Sequence, residues 1–313
     1  MKFKTHKIQE AIKALEGKIS SCDLCPRNCL SDRTQNLGYC KANNILKIYS
    51  YAPHHGEEPP ISGVSGSGTI FFSNCNLQCA YCQNYEFSIG GQGRYISTYQ
   101  LSNIMLHLQN IGCHNINLVT PTHYLIHILI ALSRAIENGL SIPIVYNTSG
   151  YEKTETIKEL EGIVDIYLVD AKYGNKMAAH TYSNAWDYFD INKLAIKEMF
   201  RQVGNLQMDA SGIATKGVIV RHLVLPSSQA GTEKVLSFLK DEIGTDVFIS
   251  LMSQYFPYYK GKEMPAISRR INSKEYFQAR NLLAKMGFDN GWVQPFMDMD
   301  YESPIAGVNI QSR

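Results

Sequence analysis

Three thiols, Cys75, Cys79 and Cys82, fall directly behind the apolar run Thr69-Ile70-Phe71-Phe72, a composition that reads as the end of a strand. Their C-x3-C-x2-C spacing suits an iron–sulfur cluster held by three thiolates. No fourth cysteine or histidine lies close behind Cys82, so one iron would keep an open position. An open metal position is where a substrate can bind. The same three residues would also share one face of a helix and could pack as small hydrophobes. The polar neighbours Asn74, Asn76, Gln78, Gln83 and Asn84 make a poor core helix and favour the ligand reading.

A second set lies upstream, with Cys22, Cys25 and Cys29 in Cys22-x2-Cys25-Pro26-Arg27-Asn28-Cys29 and Cys40 in the turn-like Asn36-Leu37-Gly38-Tyr39-Cys40. Four thiols complete a coordination set, either for tetrahedral zinc or for a second iron–sulfur cluster, and spacing alone leaves both open. Residues 20–44 contain few aliphatic side chains, so a bound metal would supply stability that a core cannot. The eighth cysteine, Cys113, stands at an expected helix-to-strand joint and reads as packing.

The chain of 313 residues is 44% hydrophobic and 19% charged, the balance of an ordinary globular protein able to bury a large core. Neither a long uncharged apolar span nor a signal-peptide core is present, so no membrane association and a cytoplasmic location are expected. Thiols there stay reduced and serve metals or catalysis more than disulfides. A net charge of +2, with no dense basic stripe, gives no reason to expect a nucleic-acid partner.

Positioning the thiols requires a scaffold. Beyond Cys82, β-branched or continuously apolar runs alternate with helix-period segments ending in glycine, which predicts parallel strands joined by helices. Strands are expected over 69–73, 115–119, 143–146, 163–169, 217–225 and 247–251. Helices are expected over 6–18, 98–111, 124–138, 154–161, 192–203 and 232–243, the last capped by Thr232. A longer insertion carrying Trp186 precedes the helix at 192–203. Between Tyr51 and Gly68 the density of proline and glycine predicts a loop or linker. Its His54-His55-Gly56-Glu57-Glu58 reads as solvated charge more readily than as ligands or acid–base groups.

Six such units form either an open doubly wound sheet or an incomplete barrel. In both, chemistry belongs at the carboxyl ends of the strands. Those ends carry Thr120-Pro121-Thr122-His123, Asn147-Thr148-Ser149-Gly150, Asp170-Ala171-Lys172, Arg221-His222 and Ser250-Leu251-Met252. Singly, each residue is as readily a cap or an internal ion pair, Asp170 with Lys172 above all; as a set they converge on one mouth.

Cys75-x3-Cys79-x2-Cys82, with Tyr81 before the third cysteine, resembles the signature of the radical S-adenosylmethionine superfamily. The run from Gly66 through Cys82-Gln83-Asn84 is similar to the branch of the pyruvate formate-lyase activating enzyme. The resemblance covers about residues 61–255 in chain order and implies a partial (β/α)6 barrel. Residues 1–60 would then be a Cys-rich extension with a linker, and residues 61–313 the barrel and a C-terminal extension framing its mouth.

The resemblance also implies that a 4Fe–4S cluster on Cys75, Cys79 and Cys82 holds the methionyl group of S-adenosylmethionine. Where that branch has Gly-Gly-Glu for the amino group, this chain has Thr120 and Thr122, which become the candidates with backbone carbonyls. Asn147 and Ser149 are similar to the ribose-side segment, Asp170 and Lys172 to the strand-four Asp-Leu-Lys, and Arg221 to the arginine facing the carboxylate. Tyr81 would lie beside the adenine, unless it is a plain core aromatic.

The implied activity is reductive cleavage of S-adenosylmethionine to a 5′-deoxyadenosyl radical that abstracts hydrogen. A donor such as flavodoxin or ferredoxin would supply the electron, and a glycyl-radical enzyme would be the partner. Another protein, a peptide or a small molecule is the alternative substrate, and a non-catalytic iron–sulfur or zinc protein the alternative class. The open iron argues for catalysis.

Overall fold

The computed structural model describes residues 2–296. Six parallel strands form its centre: β2 (Ser67–Phe72), β4 (Ile116–Val119), β5 (Ile144–Thr148), β6 (Ile166–Asp170), β8 (Ala214–Leu223) and β9 (Phe248–Met252). They neighbour one another in chain order, with β1 (Lys47–His54) antiparallel to β2, β3 (Arg94–Tyr95) beyond β1, and β10 (Gly291–Val293) parallel to β9. The short β7 (Gln207–Met208) pairs with β8.

An order without reversal sends every right-handed crossover to the same face and curls the sheet round the other, so the doubly wound alternative is excluded. The sheet runs from β3 to β10 without closing, which makes it a partial barrel.

The helices are α1 (Lys2–Leu15), α2 (Pro59–Ser62), α3 (Tyr85–Ser88), α4 (Thr98–Asn110), α5 (Leu125–Glu137), α6 (Thr154–Lys158), α7 (Lys176–Ser183), α8 (Tyr188–Val203), α9 (Thr232–Glu242) and α10 (Ser273–Lys285). Strand side chains alternate between two environments. Ile70, Leu118, Tyr146 and Val220 point outward into the main core with Leu101, Leu129 and Leu236 from the helices. Val145, Ile166, Leu168 and Ile219 point inward and meet Ile61 of α2, which stops the amino end of the lumen. Cys113 is buried in the outer core, as a packing residue should be.

Three local expectations are corrected. The supposed linker begins inside β1, whose Pro53 is tolerated because β3 pairs only with Lys47 and Ile48, leaving β1 as a sheet edge at the proline. Glu58 is buried and the Glu57 side chain is only 9% exposed inside the barrel, rather than solvated. Thr232 does not cap α9: Gly231 occupies the cap position, and the Thr232 hydroxyl lies 3.0 Å from His222 Nε2. Residues before 61 also share the barrel's core, since Ile8, Leu15, Leu24, Leu46 and Ile48 pack in the same cluster as α5. Of the C-terminal segment expected at the mouth, residues 297–313 lie outside the described residues.

Candidate active site

Cys75, Cys79 and Cys82 follow β2 at the carboxyl end of the barrel, with Cys75 and Cys79 buried. The loop turns through left-handed backbone at Asn74 (φ 76°) and Gln78 (φ 54°), each directly before a cysteine. Such turns aim successive amides at an anion. The Leu77 amide lies 3.4 Å from Cys75 Sγ, the Asn84 amide is directed at Cys82, and Ser88 Oγ is 3.2 Å from Cys82 Sγ. Burial pushes the Cys75 thiol up to about 12 and Cys82 to about 11, helped by repulsion from Cys79. These sulfurs would become thiolates only beside a strong positive charge, which the irons of a cluster provide. The donor set therefore fits an iron–sulfur centre.

Below the thiols the lumen is polar. Each guanidinium nitrogen of Arg221 has a partner: Nε donates to Asp170 at 2.8 Å, Nη1 to Glu57 at 3.2 Å and Nη2 to Asn147 Oδ1 at 2.6 Å. The predicted Asp170–Lys172 ion pair is present at 2.6 Å. Burial opposes ionisation of Asp170, but the Arg221 and Lys172 charges outweigh it and hold the carboxyl below its usual range. Glu57 goes the other way, raised by burial despite Arg221. The pair geometry supports charge on Asp170 first, since it alone has two cationic partners within bonding distance. Glu58 Oε2 has no partner among the described residues.

The remaining predicted groups divide. Thr120, at the end of β4, has φ 58°, a strained value for a β-branched residue and one met where function demands it. Thr122 instead donates at 2.6 Å to Glu152, which also accepts from Thr148 and whose second oxygen is unpartnered among the described residues. Burial raises this carboxyl to about 7. Ser149 Oγ is unpartnered among the described residues, while its carbonyl accepts from Tyr188 at 2.7 Å. A Cβ on the neighbouring Gly150 would stand 2.3 Å from the Asp170 carbonyl oxygen, so glycine is required where these two strand ends meet. Tyr81 is buried edge-on to Tyr173, Tyr182 and Tyr255.

Sequence reasoning missed Glu152, and for Glu57 and Glu58 it weighed an acid–base or ligand role but favoured solvated charge. The signal for that pair was the inward polar row of Thr69, Asn117, Asn147 and Arg221, which needs an acidic counterpart from elsewhere in the chain.

The four upstream thiols also converge. The Arg27 amide is directed at Cys25 and the Ala42 amide at Cys40, and a Cβ at Gly38 would meet Cys40 Sγ at 3.3 Å and Cys29 Sγ at 3.6 Å. Among the described residues no three His, Cys, Asp or Glu side chains are grouped so as to hold a single metal ion. A surface cavity of about 530 Å³, lined by Pro60, His114, Ile213 and Trp292, lies by the α2 plug, away from all seven of these thiols.

The description "Radical SAM superfamily" matches residues 69–208. The chain is 31% identical over 291 residues to Uncharacterized protein MJ0674 of Methanocaldococcus jannaschii, covering 89% of this chain and 78% of that protein. HydG, a maturase of the FeFe hydrogenase, is similar over 70% of this chain at 13% identity and a TM-score of 0.47; this chain spans about half of it, 48%. No helix among the described residues is long and apolar enough to cross a membrane. With the matched segment starting in β2 and containing all three thiols of the loop, the chain belongs to the radical SAM superfamily.

Proposed function

We propose that this protein is a radical S-adenosylmethionine oxidoreductase in which Cys75, Cys79 and Cys82 hold a 4Fe–4S cluster. The observation that carries the reading is the buried three-thiol loop at the carboxyl end of β2, with amides turned onto its sulfurs. When bound, the cluster and S-adenosylmethionine supply an electron and a 5′-deoxyadenosyl radical. The protein's own groups bind and orient. Thr120, Asn147 and Ser149, at strand ends, would hold the cofactor's polar groups, and Lys172 places its charge near Cys79 and Cys82. Tyr81 closes the loop against the tyrosine wall. Thr122 is tied to Glu152, which brings a carboxylate to the segment that stands where the related branch has its glutamate. Arg221, with three nitrogens bonded to protein, orients Asp170 and Asn147 rather than offering a free fork to the methionyl carboxylate.

Changing Cys75, Cys79 or Cys82 singly to alanine should abolish cleavage of S-adenosylmethionine in anaerobically reconstituted protein. Wild-type cleavage in any one of the three removes the reading.

For the substrate, the resemblance over residues 66–84 supports a glycine-bearing loop of a partner protein. A second reading rests on the segment after β9, where Tyr259 stacks on Tyr85 at 5.2 Å and Gly261 abuts Tyr81. That cover over the thiol loop favours a smaller enclosed substrate. Deuterium transfer into 5′-deoxyadenosine from a glycine-deuterated protein supports the first, and transfer from small molecules alone the second. A cytoplasmic location, with a flavodoxin- or ferredoxin-class donor, belongs to the same proposal.

A further inference from the structure

The charged layer beneath the thiol loop does not close on itself. Three ion pairs run in series, Lys172 to Asp170 at 2.6 Å, Asp170 to Arg221 at 2.8 Å and Arg221 to Glu57 at 3.2 Å. Glu58 extends the series: it feels the Arg221 charge, and the Ser250 hydroxyl on β9 is directed at it. When all five groups are ionised, the carboxyls Asp170, Glu57 and Glu58 face two cations, Arg221 and Lys172, so the layer is one positive charge short. The unmet hydrogen bonds have the same sign. Glu58 Oε2 and Asn117 Oδ1 are buried without a partner among the described residues, and a carboxylate or amide oxygen only accepts. Asn117 belongs to this layer through its amide nitrogen, which donates to Glu57 at 3.0 Å.

A buried carboxylate without a partner is costly to keep, and an orphaned polar atom in a folded interior calls for an occupant. The layer is within reach of one, since the side chains of Asp170, Arg221 and Lys172 remain 11, 16 and 19% exposed. A metal ion does not fit. Arg221 donates to both Asp170 and Glu57, and among the described residues no three His, Cys, Asp or Glu side chains are grouped to hold one. Nor does the amino group of S-adenosylmethionine fit, because its candidates Thr120 and Thr122 follow β4, whereas Ser250 lies on β9 with β5, β6 and β8 between.

We infer that the substrate carries a primary ammonium group, which Glu58 receives inside the lumen beneath the thiol loop. This rests on the radical reading given above and names a substrate class for it. An alkylammonium brings one positive charge and three donors, which matches both the missing charge and the surplus of acceptors. Asn117 Oδ1 is left to bond a further donor of the same molecule. Burial raises the Glu58 carboxyl, so the empty lumen favours its protonated form; an arriving ammonium lets it ionise, and the displaced proton goes to solvent.

The test uses the full chain, reconstituted anaerobically, with n-butylammonium, a lysine peptide capped at both ends, n-butanol and potassium ion as probes. Calorimetric titration in two buffers of different protonation enthalpy reads binding and proton release, and thermal unfolding reads stability. Wild type should bind at least one ammonium probe saturably at millimolar concentration, release a proton and melt higher, with no response to n-butanol or potassium. Binding should weaken by about tenfold or more in Glu58→Gln. A tighter hold on the peptide makes a lysine side chain the source and a tighter hold on the free amine a small molecule; both uphold the class. Without probe, Glu58→Gln should melt no lower than wild type, because it removes an acid that the fold leaves unpaired. The inference is overturned by the lack of saturable ammonium binding in wild type, by an equal response to potassium, or by unaltered binding in Glu58→Gln. A lowered melting temperature of probe-free Glu58→Gln overturns it too, since Glu58 would then serve the fold, and so does weakened affinity of that variant for S-adenosylmethionine, which would give the cation to the cofactor. None of these measurements needs turnover, and the radical reading fails separately if wild type cleaves no S-adenosylmethionine.

Discussion

The two thiol regions use the same local chemistry on very different foundations. In both, the amide two residues ahead turns back on the sulfur, at Cys25, Cys40, Cys75 and Cys82. In both, non-glycine residues adjoining cysteines are forced into left-handed backbone: Asn28, Leu30 and Lys41 upstream, Asn74 and Gln78 downstream. Each such residue costs about 1–2 kcal/mol. The downstream loop is carried by β2 and walled by Tyr173, Tyr182 and Tyr255, so the barrel offsets its strain. Upstream, residues 20–46 contain no helix or strand beyond one isolated bridge, Cys22 with Ser31. Similar sulfur geometry thus rests on a strand end in one region and, in the other, on irregular backbone anchored to the main core by Leu24, Ala42 and Leu46.

Removing metal is the strongest way to break that comparison. Chelation should make residues 20–46 sensitive to protease while the barrel stays resistant. Equal protection of both regions in the stripped protein would show that the upstream region needs no metal.

Arg221→Ala probes the barrel side alone. It strands Asp170 and Glu57 without their shared cation and should destabilise the fold by about 3–5 kcal/mol, seen in thermal unfolding, with little change in S-adenosylmethionine affinity. Weakened affinity with an unchanged melting temperature would return Arg221 to the cofactor.

Acid sharpens the contrast, because residues 20–44 contain no histidine whereas the barrel buries His222. Its Nδ1 lies 2.6 Å from Ala171 O and so carries the hydrogen, leaving Nε2 to accept from Thr232. Burial depresses His222 from the usual 6.5 to about 4, against the pull of the Ala171 carbonyl. The unfolded chain then binds a proton that the folded chain refuses. Stability is full above about pH 6.5 and falls by up to about 3 kcal/mol as pH drops toward 4. His222→Gln should flatten this part of the unfolding-versus-pH curve, and an unchanged slope would assign it to other groups.

The smallest effect is expected at the joint between the two regions. Gln78→Ala removes one bond to Tyr39 and should cost about 1 kcal/mol in thermal unfolding. An unchanged melting temperature would show that this contact contributes nothing to stability.

The strands and main helices were legible because their apolar runs are long and end in glycine, and the thiols because their spacing is specific. The choice of barrel over open sheet was not in the pattern. It depends on strand order, a property of pairing between distant segments. Glu57 and Glu58 were illegible for a similar reason. Beside Pro59 and Pro60 they have the local look of a surface turn, and Arg221, Asn117 and Asn147, brought from three separate strands, make the burial of Glu57 tolerable. Thr232 misled because its hydroxyl had a better partner in His222 than the helix end.

The plug at the base of the lumen governs the order in which the molecule can be assembled. Glu57 leaves the ribosome early, yet its partner Arg221 follows 164 positions later. Ile61 likewise waits for Ile166 and Ile219. Contacts of such long sequence separation form late. The segment carrying the upstream thiols is therefore tethered to a stopper that seats only when the fifth parallel strand arrives. A chain cut at residue 60 would lose Glu57 and Glu58 with everything before them, leaving a barrel whose base lacks its acidic lining.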